Sequence, residues 1–453
     1  MTSATDVAVV GGGITGLAAA WELAGPRGGH RPVRVTVLEA GAHLGGRIDT
    51  LDLGGRPVDA GADAFIARVP DAVALCQELG VGEQLVAPAA TTALIWSRGE
   101  LRRLPEDTVL GVPTRLRTLA ASKVVSVAGL ARASLDLVLP ADTSTDDRSI
   151  AALVDHRLGR EIRERLSLAA TAPQLDAARC EHRSLLRGLR PAERAPTGAP
   201  TPVFLTLPGG PGQLVQTLCG ALAGRGVELR TAAPVEKIER DDGRWRLRTP
   251  QGMVTADAVV LALPSFVAAD LLATQLPAAA SDLDAIEHAS VVLATFAYPA
   301  AAVSVPPGVS GFLVPRVEGR LMTACTFLSA KWPHRERPGQ TVVRVSAGRW
   351  GDDRALHLGD EELVRRLRAE LDDALGITAS PDAVVVGRWP RAFPQYEVGH
   401  LERVARIRAV VARQPGLAVA GASYGGVGIP ACIGQGRRAA RDVLDHLAVA
   451  AQR

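Results

Sequence analysis

The sequence predicts an α/β protein, with a discontinuous Rossmann-like dinucleotide-binding domain, a mixed-sheet domain and a helical domain. Three observations predict it. The apolar run Asp6-Val7-Ala8-Val9-Val10 enters Gly11-Gly12-Gly13-Ile14-Thr15-Gly16, and a helical pattern follows from Leu17 to Leu23. A second strand pattern, Arg34 to Leu38, ends in Glu39. Near the C-terminus the strand–glycine–helix order returns: Leu417 to Ala420, a glycine-rich turn from Gly421 to Gly428, and a helix from Gly436 to Val449.

The first glycine turn has a physical logic. Gly11 permits a tight turn, Gly13 lets backbone approach a pyrophosphate, and Gly16 lets the helix pack close to the strand. The helix N-terminus then faces the phosphate charge. Glu39 follows Gly16 by about 20 residues, the place for an acid that takes ribose hydroxyls. Gly45-Gly46-Arg47 adds close backbone approach and a fixed positive charge. Val58 to Phe65 sets small residues where a flat ring could lie; read alone, it is equally a hairpin turn. At Gly421 to Pro430 a second glycine-lined helix start can supply amides.

The intervening elements follow in order. Residues 66–202 are mostly helical in pattern, with loops at Thr143 to Arg148 and Pro191 to Pro202. Within them, Leu119 to Pro140 reads as an amphipathic helix, either resting on a membrane surface or facing the core. Leu207 to Gly212 introduces a helix from Gln213 to Ala223. Short strands are expected at Val227 to Arg230, Val235 to Ile238, Trp245 to Arg248 and Ala258 to Leu263. Asp241-Asp242-Gly243 and Gln251-Gly252 supply turns between them. Residues 271–384 combine strands (Val291 to Phe296, Val342 to Val345) with a helix from Glu361 to Leu375. The expected division is 1–65, 203–270 and 385–453 for the nucleotide domain, 66–202 for the helical domain and 271–384 for a substrate domain.

Composition narrows the class. The 453 residues are 47% hydrophobic and 22% charged, as in an ordinary soluble globular protein. A net charge of +3 is too small to argue for nucleic acid. The five cysteines are far apart and form no C-x-x-C, so neither a disulfide framework nor a zinc site is expected; a reducing cytosol suits them. The histidines form no H-x-x-x-H pair, and no metal is expected. The first strand begins with no basic region before it, so no secretory leader is expected. Four glycines break the apolar stretch over residues 8–20, which argues against a spanning helix.

The glycine fingerprint, Leu44-Gly45-Gly46-Arg47, Gly61-Ala62-Asp63-Ala64-Phe65 and Gly426-Val427-Gly428-Ile429-Pro430 together resemble the flavin monoamine-oxidase-like superfamily. Further runs resemble its protoporphyrinogen and coproporphyrinogen oxidase family, and within it the bacterial coproporphyrinogen III oxidases. They are Leu104-Pro105, Gly111-Val112-Pro113, Pro208-Gly209-Gly210, Trp389, Pro394-Gln395-Tyr396 with Val398-Gly399-His400, and Ala422-Ser423-Tyr424. The resemblance covers nearly the whole chain.

The resemblance implies FAD as cofactor. By position, Gly11, Gly12, Gly13, Ile14, Thr15, Gly16, Glu39, Ala40, Gly46 and Arg47 would hold its adenosine diphosphate part. Gly61, Ala62, Asp63 and Ala64 would approach the ring system. Val235 would touch adenine through its backbone and Trp389 would pack near the flavin. Val427, Gly428, Ile429 and Pro430 would hold the far side. The residues themselves leave Trp389 open as plain core and Val235 as a strand residue. The implied reaction is oxidation of coproporphyrinogen III to coproporphyrin III in haem biosynthesis, with O2 as acceptor and H2O2 as product. The cofactor carries that chemistry, so no catalytic acid or base is nominated. Arg68 and Arg391 are candidate partners for substrate carboxylates, against a reading as surface arginines. A ferrochelatase is an implied transient partner, and a cytoplasmic site with peripheral membrane contact is implied.

One departure stands out. Leu166 runs straight into Ser167, where the family usually carries an intervening segment that lines the porphyrinogen cavity. It leaves open a natural divergent member, an inactive FAD-binding paralogue or a damaged copy; the alternative activities are a protoporphyrinogen IX oxidase and, more distantly, an amine oxidase or carotenoid desaturase.

Overall fold

Five parallel strands form the first sheet, in the order Glu228–Arg230, Val33–Leu38, Thr5–Val10, Ala258–Leu261 and Leu417–Val419. In this computed structural model the described residues are 4–25, 32–105, 107–109, 111–140, 149–166, 184–189 and 202–450. Thr5–Val10 lies at the centre, with Val7 opposite Ala258 and Val35 on its two sides. A parallel strand covered on both faces needs apolar side chains throughout, which explains its unbroken valine and alanine run. Three separated pieces of chain meet here, as the sequence predicts.

Three helices cover one face. Ile14–Leu23 packs against the long C-terminal helix Ile429–Ala450, and Leu17, Leu214, Leu218 and Ile433 are fully buried between them and the helix Pro211–Gly224. A Cβ on Gly436 would lie 2.1 Å from the Thr15 carbonyl oxygen, so the crossing requires glycine there. The strand expected to begin at Val235 begins instead at Lys237. Val235 lies on irregular backbone ahead of it.

The second sheet has seven strands, in the order Ala383–Pro394, His288–Pro299, Gln340–Ala347, Met322–Phe327, Val309–Leu313, Thr92–Ser97 and Glu100–Arg103. Only the Val309–Leu313 and Thr92–Ser97 pair is parallel, so the sheet is mixed. It draws strands from all three expected segments: Thr92–Arg103 comes from 66–202, and Ala383–Pro394 crosses the limit at 385. The helix Asp360–Leu375 buries Leu363, Leu367 and Leu371 against it.

The helical body contains Leu116–Ser122, Val127–Ser134, Ile150–Leu158, Arg160–Arg165 and Leu185–Gly188. The single helix expected over 119–140 is two helices and a 3-10 turn. Lys123, at φ 54°, breaks it in the left-handed region. Leu119, Val124 and Ala133 are buried, while Val127 and Val138 are 86% and 65% exposed. Asp136 is fully buried and accepts from Arg157 Nε at 2.6 Å, the Ser184 hydroxyl at 2.6 Å and the Leu186 amide at 2.9 Å. Such a pair is tolerable only because its hydrogen bonds are met. The loop at 143–148, nearly all of that at 191–202, and Ser167 at the departure lie outside the described residues. No helix among the described residues is long and apolar enough to cross a membrane.

Candidate active site

A cavity of about 930 Å³ lies between the first sheet's glycine turn and one end of the second sheet. Its first wall is the glycine turn. Gly11 has φ 103°, and a Cβ there would lie 2.4 Å from the Ala262 carbonyl oxygen. A Cβ on Gly16 would lie 1.9 Å from the Gly11 carbonyl oxygen. Both glycines are therefore required by the protein itself. Gly13 differs. Its Cβ position meets no atom closer than 3.9 Å, and its backbone faces the cavity. Gly13 is also the N-cap of the helix that starts at Ile14, so the positive end of that helix opens onto the space.

Glu39 closes the near end with Ala40, Pro234 and Val235. Its carboxylate accepts from the Gly12 and Gly41 amides, each at 2.7 Å. A carboxylate has about four acceptor sites, so capacity is left for a ligand hydroxyl. Gly45 donates to the Gly12 carbonyl at 2.9 Å, and Gly46, at φ 61°, follows beside Gly13. Arg47 donates to the Arg391 carbonyl at 2.6 Å. Burial pushes the Arg47 pKa down from its ordinary value.

That carbonyl is presented by a bulge. The pairing of His288–Pro299 with Ala383–Pro394 shifts between Ala289 and Val291, and Arg391 there has φ 49°. The Arg391 amide donates to Ser290 Oγ at 2.9 Å. Its guanidinium lies 3.4 Å from the Phe266 ring centre, a cation–π contact on an exposed side chain. Arg68 is also exposed and does not line the cavity.

At the far end Gly61 and Ala62 line the space. Side chains from the second sheet fix this loop. Arg344 donates to the Gly61 carbonyl at 2.7 Å, and Trp389 Nε1 to that of Ala60 at 2.7 Å. Asp63 does not reach the cavity; it accepts from Lys331 Nζ at 2.8 Å and Trp332 Nε1 at 2.9 Å, with Arg344 at 3.4 Å. Burial alone would raise the Asp63 pKa. The Arg344 and Lys331 charges, with the Lys331 and Trp332 hydrogen bonds, outweigh it and hold the carboxyl at about 2. Ala64 also lies off the lining. His288 lines the cavity and is neutral at pH 7, because burial, with Arg47 and Arg391 nearby, outweighs its bond to the Ile286 carbonyl and brings it to about 4.

The closing turn supplies Val427, Ile429 and Cys432, with Gly428 and Pro430 just off the surface. Tyr396 pins it. Its hydroxyl donates to the Ala422 carbonyl and accepts from the Gly426 amide at 2.9 Å. The ring stacks on His400 at 4.3 Å. Lys331, Trp332, Arg344, His288 and Tyr396 were not singled out as site residues from the sequence. Only Tyr396 left a signal, as part of the Pro394-Gln395-Tyr396 run. No cluster suited to a metal ion occurs among the described residues.

Comparison with known proteins gives the class. The family model for flavin containing amine oxidoreductases matches residues 14–444, and the chain belongs to that family. More narrowly, the chain is 31% identical to the coproporphyrinogen III oxidase of Bacillus subtilis (strain 168), over 97% of this chain and 98% of that protein. It is 34% identical to the coproporphyrinogen III oxidase of Propionibacterium freudenreichii, covering 96% and 90%. The solved structure of a candidate protoporphyrinogen oxidase from Exiguobacterium sp. 255-15 superposes with a TM-score of 0.85 at 30% identity, covering 99% of this chain and 100% of that one.

The cofactor is FAD, and the residues present fit it. The empty Cβ position at Gly13 is a cradle that any side chain would fill. The helix start beside it suits a pyrophosphate, and Glu39 has acceptor capacity where a ribose would come. The cavity volume is at the upper end for a single ligand, as an extended dinucleotide requires.

Proposed function

We propose that this chain oxidises coproporphyrinogen III to coproporphyrin III. The observation that carries the reading is the continuity of the cavity. From the nucleotide turn it runs past Trp389 to Val291, Leu313, Thr323, Ala324 and Ser346, all at one end of the second sheet. A flat cofactor ring held at Gly61 and Trp389 would face an apolar chamber walled by that sheet. The family and the names of the relatives point the same way.

Bound FAD supplies two-electron redox chemistry, accepting hydride and returning electrons to dioxygen. Over the whole reaction six electrons leave the porphyrinogen, and three O2 become three H2O2. The protein's part is placement. Gly11 to Gly16, Glu39, Ala40, Gly46 and Arg47 would hold the adenosine diphosphate part, with the Val235 backbone at adenine. Gly61, Ala62 and Trp389 would lie at the ring, and Val427 to Pro430 on its far side, with Asp63 holding the loop rather than touching the ligand. Neutral His288 adds no charge at this end, where Arg344 already donates to the Gly61 carbonyl.

The finer points belong to the same reading. The metal-free tetrapyrrole product suits hand-over to a ferrochelatase. The exposed Val127, Leu135 and Val138 of the helical body support peripheral membrane contact, and the free cysteines suit a cytoplasmic site. The ratio of turnover on coproporphyrinogen III and protoporphyrinogen IX tests the substrate. A ratio above one supports the reading; a preference for protoporphyrinogen IX replaces it with the sister activity.

A further inference from the structure

The end of the second sheet that walls the cavity also carries a group of arginines. Arg316 follows the cavity residue Leu313 closely and Arg349 follows the cavity residue Gly348 directly, both just outside the lining itself. The loop that begins at Arg349 is anchored beside the same end, because Trp350 Nε1 donates to Glu287 Oε2 at 2.7 Å, just ahead of His288.

Most charges there are already matched. Arg354 forms two 2.8 Å hydrogen bonds to Asp352, and Arg320 pairs with Asp373. Glu318 is taken by Arg165 at 2.6 Å. Arg316 and Arg349 are different. Among the described residues neither is in an ion pair. Arg316 donates to the Trp350 carbonyl, and Arg349 makes one long bond, 3.4 Å, to the Val314 carbonyl. Arg349 Nε is buried with no hydrogen-bond partner. Two guanidiniums side by side with no carboxylate in an ion pair repel each other. Burial and the Arg316 and Arg354 charges lower the Arg349 pKa, and the nearby Asp352, already held by Arg354, only partly offsets them. An arriving carboxylate would relieve the repulsion and fill the open donors, and the planar fork suits a bidentate grip.

We propose that Arg349 and Arg316 are the carboxylate-recognition point at the substrate end of the cavity, taking a propionate of the tetrapyrrole. The inference rests on the porphyrinogen reading and adds to it the residues that set preference for the more carboxylated substrate.

The test uses the FAD-loaded full chain, with Arg349→Gln, Arg316→Gln and, as a control for bulk charge, Arg365→Gln on the exposed face of the helix Asp360–Leu375. Two quantities are read: KM for coproporphyrinogen III by oxygen uptake, and Kd for coproporphyrin III by fluorescence quenching. Either site variant is expected to raise both about ten-fold, the scale of one charged hydrogen bond. Arg365→Gln should leave both unchanged. The tetramethyl ester of coproporphyrin III, which lacks the charge, should bind the wild type and the variants alike. Arg316 is exposed, so its variant keeps the test valid if Arg349→Gln fails to fold. Unchanged KM and Kd in a folded variant overturn the inference while leaving the activity standing. A wild-type protein that neither binds coproporphyrin III nor oxidises its porphyrinogen overturns the reading beneath it.

Discussion

Gly13→Ala separates a glycine required by the cofactor from one required by the fold. At Gly13 the backbone has φ −72° and ψ 174°, which alanine adopts freely. Its Cβ would meet no protein atom closer than 3.9 Å. In the protein without cofactor, the stiffer unfolded chain favours alanine by about 0.4–1 kcal/mol. The weaker N-cap opposes it by a similar amount. Apoprotein stability should therefore stay within about 1 kcal/mol of wild type. The new methyl group points into the cavity, where the proposed placement puts the pyrophosphate. Overpacking there should cost about 1–3 kcal/mol of FAD binding, or about 5- to 150-fold in Kd. Gly16→Ala gives the contrast. Its Cβ would fall 1.9 Å from a backbone oxygen that cannot rotate away. It should lose about 3 kcal/mol even without FAD. Thermal melts of the apoproteins and FAD titrations by flavin fluorescence read both quantities. Wild-type FAD affinity in Gly13→Ala, or an apoprotein loss matching that of Gly16→Ala, would refute the reasoning.

Two further substitutions probe the supports of the site. Asp63→Asn leaves Lys331 and Arg344 buried without their carboxylate and should destabilise by about 3 kcal/mol in chemical denaturation. The Asp63 carboxyl is held at about 2, below its ordinary 3.8. Its contribution, about 2 kcal/mol, is therefore full above about pH 4 and lost as pH falls toward 2. The difference in stability between wild type and Asp63→Asn should shrink over that window; a constant difference would remove the charge explanation. Tyr396→Phe deletes the hydroxyl that joins the Ala422 carbonyl to the Gly426 amide. It should weaken FAD about ten-fold by freeing the closing turn, with a loss of only about 1 kcal/mol in stability; unchanged flavin retention on dialysis would count against that role.

Much of the nucleotide half was legible because its rules are local. Gly11 and Gly16 meet requirements of the fold and Gly13 leaves open space beside the cavity, and their spacing alone marks all three. The seven-stranded sheet was less legible. Thr92–Ser97 and Glu100–Arg103 form an ordinary hairpin pattern of few residues, and their partner at Val309–Leu313 lies far along the chain. Long-range pairing leaves no periodicity. The same holds for the fixing residues. Lys331 and Arg344 carry no local signal, and only the fold brings Asp63 to them. The charge of Arg391 offers a candidate carboxylate partner or a surface arginine, yet the contact it makes with Arg47 uses its backbone carbonyl, which no side-chain argument reveals.

Anaerobic mixing of the FAD-loaded protein with coproporphyrinogen III tests the central claim most directly. The account predicts that the oxidised-flavin absorbance bleaches as substrate is added and returns when air is admitted, with coproporphyrin III as the product. Flavin that stays oxidised in the presence of excess porphyrinogen would contradict it.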